Sequence, residues 1–173
     1  MPNTITTRSA QRSDIDAIAR IDRSGLSTGL ASFRDTPHDA RSFAAFDPPA
    51  GLALMGLMGD EARGWAGVSR TSPRAVYAGV GEISVYVEAG FRGAGLGARL
   101  IADTVGASEA AGFWTLVAQC FPENAASIAA LERAGFVRLG LRRRLGRMSY
   151  GPRAGHWCDV MMLERRSPAV GMD

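Results

Sequence analysis

Apolar and polar positions alternate most cleanly from Glu82 to Glu88, where Ile83, Val85 and Val87 are set against Glu82, Ser84 and Tyr86. A period of two over that stretch predicts a half-buried strand. Runs of the same kind, bounded by turn formers, occur at Thr4–Arg8, Leu52–Met58 and Arg63–Ser69, the last two joined as a hairpin around Gly59-Asp60. Others fall at Trp114–Cys120, Phe136–Arg142 and His156–Leu163, with a long Arg/Gly-rich loop expected between the final pair. Elsewhere the period lengthens to that of a helix. Ile15, Ile18, Ala19 and Ile21 share one face behind Ser13 as a cap. Leu96, Leu100, Ile101 and Val105 share another, ended by Gly112, and Asn124 opens a third helix that Gly135 ends. One more helix is expected from Thr36-Pro37 to just before Asp47-Pro48-Pro49. The order is strand, helix, helix, three strands, helix, strand, helix, two strands. That is an α/β chain with a mixed central sheet flanked by helices, without the repeated strand–helix–strand units of a doubly wound fold. No repeat or linker divides it. Residues 1–166 read as one domain, and 167–173 as a frayed tail.

Composition narrows the field without naming an activity. At 173 residues, 46% hydrophobic and 21% charged, the chain buries its own core and is not disordered. The net charge is +3, and every one of its cations among Lys and Arg is arginine. Arg138, Arg142, Arg143, Arg144 and Arg147 cluster late in the chain. They suit either an anionic partner such as a phosphorylated cofactor or a solvated strand end; no nucleic-acid module accompanies them, so nucleic acid is not expected. Cys120 and Cys158 have neither metal-ligand spacing nor a disulfide framework, so no metal is expected. The first residues contain no apolar signal core, and no run of about 18 apolar residues occurs. A soluble cytoplasmic protein without membrane contact is expected.

The chemistry concentrates in Phe91–Val105, FRGAGLGARLIADTV. A strand delivers this glycine-rich loop to the start of a helix, where the first amide groups have no intrahelical partner and the helix dipole is positive. Glycines let the backbone approach phosphate oxygens closely, and Arg92 adds a charge at the mouth. Two cofactor readings and a bland one fit the letters. Gly93-x-Gly95-x-x-Ala98 suits a dinucleotide loop, Arg92-x-x-Gly95-x-Gly97 suits a coenzyme A loop, and a plain turn suits any glycine triplet. The dinucleotide reading expects the loop after the first strand and an acid at the end of a second parallel strand. Here the loop is mid-chain, and the acid closest to the expected spacing of about 20 residues, Glu109, falls inside the predicted helix.

With those residues in view, ISVYVEAGFRGAGLGARLI resembles the acetyl-CoA motif of the GNAT N-acetyltransferase superfamily. ENAASIAALERAGFVRLG resembles that family's Asn-bearing helix followed by Gly-Phe. EISVYV, ENAASIA and GHWCDVMMLER together are similar to its phosphinothricin acetyltransferase-like branch. The resemblance covers about residues 4 to 166 and is dense from Glu82 onward. It implies a GNAT fold with a mostly antiparallel sheet, acetyl-CoA as co-substrate and a small primary amine as acceptor, of the phosphinothricin, methionine sulfone or methionine sulfoximine type. A peptide N-terminus or an amine antibiotic is the alternative acceptor, and a non-catalytic acyl-CoA-binding protein is the alternative outside catalysis.

The resemblance also implies roles. The backbone of Val85, Tyr86 and Val87 would pair with the pantetheine arm. Arg92 and the loop Gly93, Ala94, Gly95, Leu96, Gly97 and Ala98 would hold the pyrophosphate, and Asn124 would bond the cofactor near the thioester. Without the resemblance, Val85 and Val87 read as sheet core and Asn124 as a helix cap. Glu82 matches the branch's glutamate and would take the amine's proton; by itself it reads as an exposed strand-end acid. A backbone N–H at Val85 or Tyr86 would stabilise the oxyanion. Phe33, Tyr77 and His156 are the expected acceptor contacts, with Ser32 beside Phe33. Two positions depart from the family pattern. Leu131 stands where a Tyr or His often supplies a proton to the leaving thiolate, and Ala78 stands where the branch usually carries an arginine after the tyrosine. The branch further implies a homodimer.

Overall fold

In the computed structural model, which describes residues 4–47 and 51–172, seven strands form one sheet flanked by four helices. In chain order they are β1 (Ile5–Ser9), α1 (Ile15–Leu26), α2 (Ala40–Phe43), β2 (Gly51–Met58), β3 (Glu61–Arg70) and β4 (Val80–Val87). Then follow α3 (Leu96–Ala110), β5 (Thr115–Cys120), α4 (Ala125–Arg133), β6 (Val137–Arg147) and β7 (Trp157–Arg166). The sheet order is β1-β2-β3-β4-β5-β7-β6, and every neighbouring pair is antiparallel except β4–β5. The expected element order and hairpin at Gly59-Asp60 are both present, Met58 pairing with Glu61 across that turn.

The core has two halves because each strand sends alternate residues to opposite faces. On one face Ile18 and Ile21 of α1, with Phe43 and Phe46, cover Met55 and Trp65. On the other, Ile101 and Val105 of α3 and Ile128 and Leu131 of α4 pack on Val68, Ile83, Leu116 and Leu163. Leu96 and Leu100 lie over Ala66, closing against Gly56 and Gly64 so tightly that a Cβ at Gly56 would fall 2.8 Å from Leu96.

Four expectations are corrected. Ser13 does not cap α1. A 3-10 turn, Arg12–Asp14, precedes the helix, and the Asp14 carboxylate accepts from the Gln11 N–H at 2.8 Å while gripping Arg8 with both oxygens at 2.7 Å. The second helix is a single turn that starts after Asp39, whose side chain accepts from Ser42 N–H, and it passes into a 3-10 turn, Ala44–Phe46. Thr36 and Pro37 do not start it; the His38 N–H next to them donates to the Asp22 carboxylate at 2.8 Å. The Pro48 and Pro49 stop lies outside the described residues. The first part of the Arg/Gly stretch is strand: β6 runs on to Arg147 across two register shifts, with Arg144 at φ +47° and its N–H on the Asp159 carboxylate at 2.7 Å. Beyond Arg142 this edge strand shows no apolar alternation to read. The tail from Ser167 is tied back. Ser167 is buried, its N–H donates to Trp114 O at 2.8 Å, and its hydroxyl accepts from Ala169 and Val170 N–H.

Candidate active site

The parallel pair β4–β5 is in register only from Val80–Thr115 to Glu82–Val117. Beyond those pairs β4 continues to Val87 and β5 to Cys120 with no ladder between them, so the two strands splay. A cleft of about 780 Å³ fills the gap, lined along β4 from Glu82 to Val87 and along β5 from Ala118 to Cys120. The edge of β4 that faces β5 keeps unpaired backbone groups there, which an extended amide-bearing chain can satisfy as an added strand does.

Glu82 stands where the splay begins. It is half-buried, and burial pushes its carboxyl above the ordinary range; a hydrogen bond from Gln119 Nε2 at 3.1 Å opposes that shift without cancelling it. A carboxylate so placed can accept a proton from a bound amine near neutral pH. Around it, Ser32, Phe33, Tyr86, Phe121, Leu145 and Val160 complete one end of the cleft. Phe33 meets Phe121 edge-on, with ring centroids 5.0 Å apart, and a Cβ at Gly146 would strike the Phe33 ring at 2.7 Å. Tyr150 ties the β6–β7 connection over this end by donating its hydroxyl to Ser32 O at 2.7 Å.

Beneath the cleft floor lies a polar network absent from the sequence reading. Tyr86 stacks on Trp65 at 5.1 Å, and Trp65 Nε1 donates to Asp22 at 2.9 Å. Asp22 is fully buried and also accepts from Arg34 at 3.1 Å and from His38. Burial alone would push its carboxyl up; the bonds from His38 and Trp65 outweigh that and hold it below the ordinary range. The available signal was an acid at i+4 from Ile18, on the apolar face of α1.

The other end of the cleft is built by the glycine loop. Gly93 and Gly95 adopt φ +80° and +93°, left-handed conformations that glycine adopts at low cost. The first backbone bond of the following helix runs from Arg99 N–H to Gly95 O. Among the described residues, the amides of Gly93 through Ala98 therefore have no backbone acceptor, and a Cβ at Gly93 would meet nothing within 4 Å. A row of free amides at a helix N-terminus, beneath open space, fits a diphosphate. Arg92 folds back, its Nε donating to Val87 O at 3.1 Å. Across the cleft Asn124 caps α4, its side chain accepting from Ser127 N–H, and its amide reaches Leu30 O at 3.4 Å. Leu131 is buried in the core yet also borders the cleft.

The structure therefore brings together Glu82, Val85, Tyr86, Val87, Arg92, the loop glycines, Asn124 and Phe33. It does not bring in Tyr77 or His156. Tyr77 is 45% exposed on a 3-10 turn before β4, and His156 is exposed with its ring on Arg153 O; neither lines the cleft. Gln119 and Phe121, which the sequence reading passed over, do line it. No group of His, Cys, Asp or Glu suited to a metal ion occurs among the described residues, and none of their helices is long and apolar enough to cross a membrane.

Comparison with known proteins agrees with this geometry. The acetyltransferase (GNAT) family pattern matches residues 16–136. The chain is 29% identical over 167 residues to a phosphinothricin N-acetyltransferase of Alcaligenes faecalis, covering 92% of this chain and 81% of that one. It is 30% identical over 162 residues to an L-methionine sulfoximine/L-methionine sulfone acetyltransferase of Pseudomonas paraeruginosa, covering 91% of each. Among solved structures, a phosphinothricin acetyltransferase from Sinorhizobium meliloti in complex with AcCoA superposes with a TM-score of 0.85 at 26% identity, over 98% of this chain and 92% of that one. The chain belongs to the GNAT acetyltransferase family and is an N-acetyltransferase that uses acetyl-CoA.

Proposed function

We propose that the protein acetylates the primary amine of a small amino-acid-like acceptor, with acetyl-CoA and acceptor held together in the cleft. The observation that carries this is Glu82 at the fork of β4 and β5, a carboxyl raised by burial at the side of the cleft of about 780 Å³. The relatives' names, phosphinothricin and methionine sulfoximine or sulfone, support the size and class of the acceptor. Acetyl-CoA supplies an activated thioester carbonyl for the amine to attack.

The chain's residues divide the work by position. The amides of Gly93 through Ala98, with Arg92, hold the pyrophosphate. The unpaired edge of β4, at Val85 and Val87, holds the pantetheine arm, and the backbone N–H of Val85 receives the negative charge that develops on the acyl oxygen, whereas the Tyr86 backbone turns the other way, to β3. Asn124 orients the thioester end. Glu82 takes the amine's proton, Gln119 keeps the carboxylate aimed, and Phe33 with Phe121 borders the acceptor. Leu131 has no proton to give, so the thiolate leaves toward water and the positive end of α4. Burial pushes the Cys120 thiol up, which disfavours a thiolate nucleophile and supports direct attack. Homodimerisation in the cytoplasm completes the reading. A second copy is supported by the exposed Val137, Leu139 and Leu141 on edge strand β6 and Trp157 on β7; sedimentation velocity giving a monomer at micromolar concentration removes it.

The deciding experiment follows free-thiol release from acetyl-CoA across amino-acid analogues, simple amines and peptides. Acceptor-dependent release with small amino-acid-like amines is expected. Cofactor binding without turnover on any amine would replace the enzyme by a sensor, and turnover confined to peptides would replace the acceptor class.

A further inference from the structure

Among the described residues, four side chains that are charged at neutral pH line the cleft: Glu82, Arg92, Glu123 and Arg133. Glu123 is taken by Arg153 at 2.6 Å. Arg92 is anchored on Val87, five residues along β4 from Glu82, roughly 16 Å for a strand rising about 3.3 Å per residue. Arg133 is exposed at the last turn of α4. So, among the described residues, the lining of the acceptor end holds one unpaired acid and no cation. Its remaining polar groups are neutral: the Ser32 and Tyr86 hydroxyls, Ser84 and the Gln119 amide. Two guanidinium groups lie just outside the cleft lining, and each is paired with an acid: Arg153, 5.3 Å from the Phe121 ring centroid, with Glu123, and Arg34, 6.0 Å from the Tyr86 ring centroid, with Asp22.

An amine positioned for Glu82 to deprotonate carries its α-substituent within a few ångströms of that carboxylate. A carboxylate or phosphinate in that place meets Glu82, aromatic rings and neutral hydroxyls, and a like charge at such range in a half-buried site is unfavourable. A carboxamide or a plain methylene meets groups that hydrogen-bond it or pack on it.

We propose that the preferred acceptor has no acid group beside its amine: it is a small primary amine with a neutral body, an amino-acid amide or the corresponding decarboxylated amine. This rests on the N-acetyltransferase reading of the same cleft and departs from the acidic compounds named for the relatives.

The test uses matched triplets: L-methionine, L-methioninamide and methylthiopropylamine, and L-phenylalanine, L-phenylalaninamide and phenethylamine. Thiol release from acetyl-CoA gives kcat/KM, and titration calorimetry on the protein with coenzyme A gives binding separately from turnover. Both neutral members should exceed the free acid at least tenfold in kcat/KM, with most of the difference in KM and in calorimetric affinity. The amide's amine is less basic than that of the free acid and the decarboxylated amine is more basic, so basicity cannot rank both above it. A free acid that equals or exceeds its partners overturns the inference and leaves the acetyltransferase reading standing. It would direct attention to Arg34 and Arg153, each with its Nη1 buried and without a hydrogen-bond partner. No turnover with any of the six, together with acetyl-CoA binding, overturns the inference and the small-acceptor reading together.

Discussion

Replacing Glu82 by Gln removes the proposed base and keeps the side chain's size and its contact with Gln119. A positioned base is worth about 10²- to 10⁴-fold, or roughly 3–5 kcal/mol of transition-state stabilisation. The loss should depend on pH. An α-amino group with a pKa near 8 is only about one-tenth neutral at pH 7 and about nine-tenths neutral at pH 9. A variant that must wait for neutral amine therefore recovers up to about tenfold across that interval. The wild type should instead show an acidic limb set by Glu82 itself, displaced above the ordinary carboxylate range because burial raises its pKa. Stability supplies an independent sign. A carboxyl whose folded pKa is raised costs stability as pH rises from its unfolded value, about 4.3, through the folded one. Glu82→Gln removes that cost, so at pH 7 the variant should melt no lower than wild type. The assay pairs kcat/KM from thiol release between pH 5.5 and 9.5 with thermal unfolding and acetyl-CoA affinity. An unchanged pH profile, or activity within about threefold of wild type at pH 7, refutes the role of Glu82 as base.

Other predictions follow from the same geometry. Gly95→Val places a β-branched residue at φ +93° and crowds the free amides; strain of about 1–2 kcal/mol and a raised acetyl-CoA KM are expected, and an unaltered KM contradicts the loop's assignment. Asp22→Asn leaves Arg34 without its buried counter-charge, which should cost about 3–5 kcal/mol and lower the melting temperature by roughly 6–20 °C. Because bonds from His38 and Trp65 hold the Asp22 pKa down, its stabilisation is full above the unfolded value near 3.9 and is lost as pH falls below it; acid unfolding of the variant should be correspondingly less steep. Leu131→Ala should cost about 2–5 kcal/mol in chemical denaturation and leave the shape of the pH–rate profile unchanged; a shifted basic limb would mean the position influences proton delivery. Cys120→Ser should keep sequential kinetics with no acetylated enzyme seen by mass spectrometry; ping-pong kinetics in the wild type that vanish in the variant would overturn direct attack.

What the sequence disclosed and what it withheld divide along a physical line. Local rules were legible. The Gly93 and Gly95 conformations, the Asn124 cap, the Gly135 stop at φ +90° and the buried stripe of α3 each depend on residues a turn or so apart. Groups joined by tertiary register were not. Gln119 meets Glu82 because Glu82 pairs with Val117 in β4–β5, and no spacing within either strand announces that pairing. Asp22 reads as a flaw in an amphipathic helix until Trp65, 43 residues away, donates to it. Tyr77 and His156 illustrate the converse error. The resemblance implies Tyr77 near the acceptor, and His156 is expected there as one of only two histidines, but the turn before β4 and the β6–β7 connection carry them outside the cleft.

The alternation that revealed β4 also explains how one strand supplies both core and site. Val85 and Val87 turn toward α3 and seal the sheet against Leu96 and Leu100, while Tyr86 turns toward α1 and stacks on Trp65, with Glu82 and Ser84 at the same parity. A slip of one residue would bury Glu82 against α3 and expose Ile83 in the cleft. The apolar residues that hold β4 in register therefore also fix the position of the base, and the proton-accepting carboxylate stands at the fork because Ile83 and Val85 are held in the core beside it. Ile83→Ser should accordingly damage folding and catalysis together, whereas Glu82→Gln should damage catalysis alone. The contrast between those two variants, in melting temperature against kcat/KM, separates the strand's structural contribution from its chemical one.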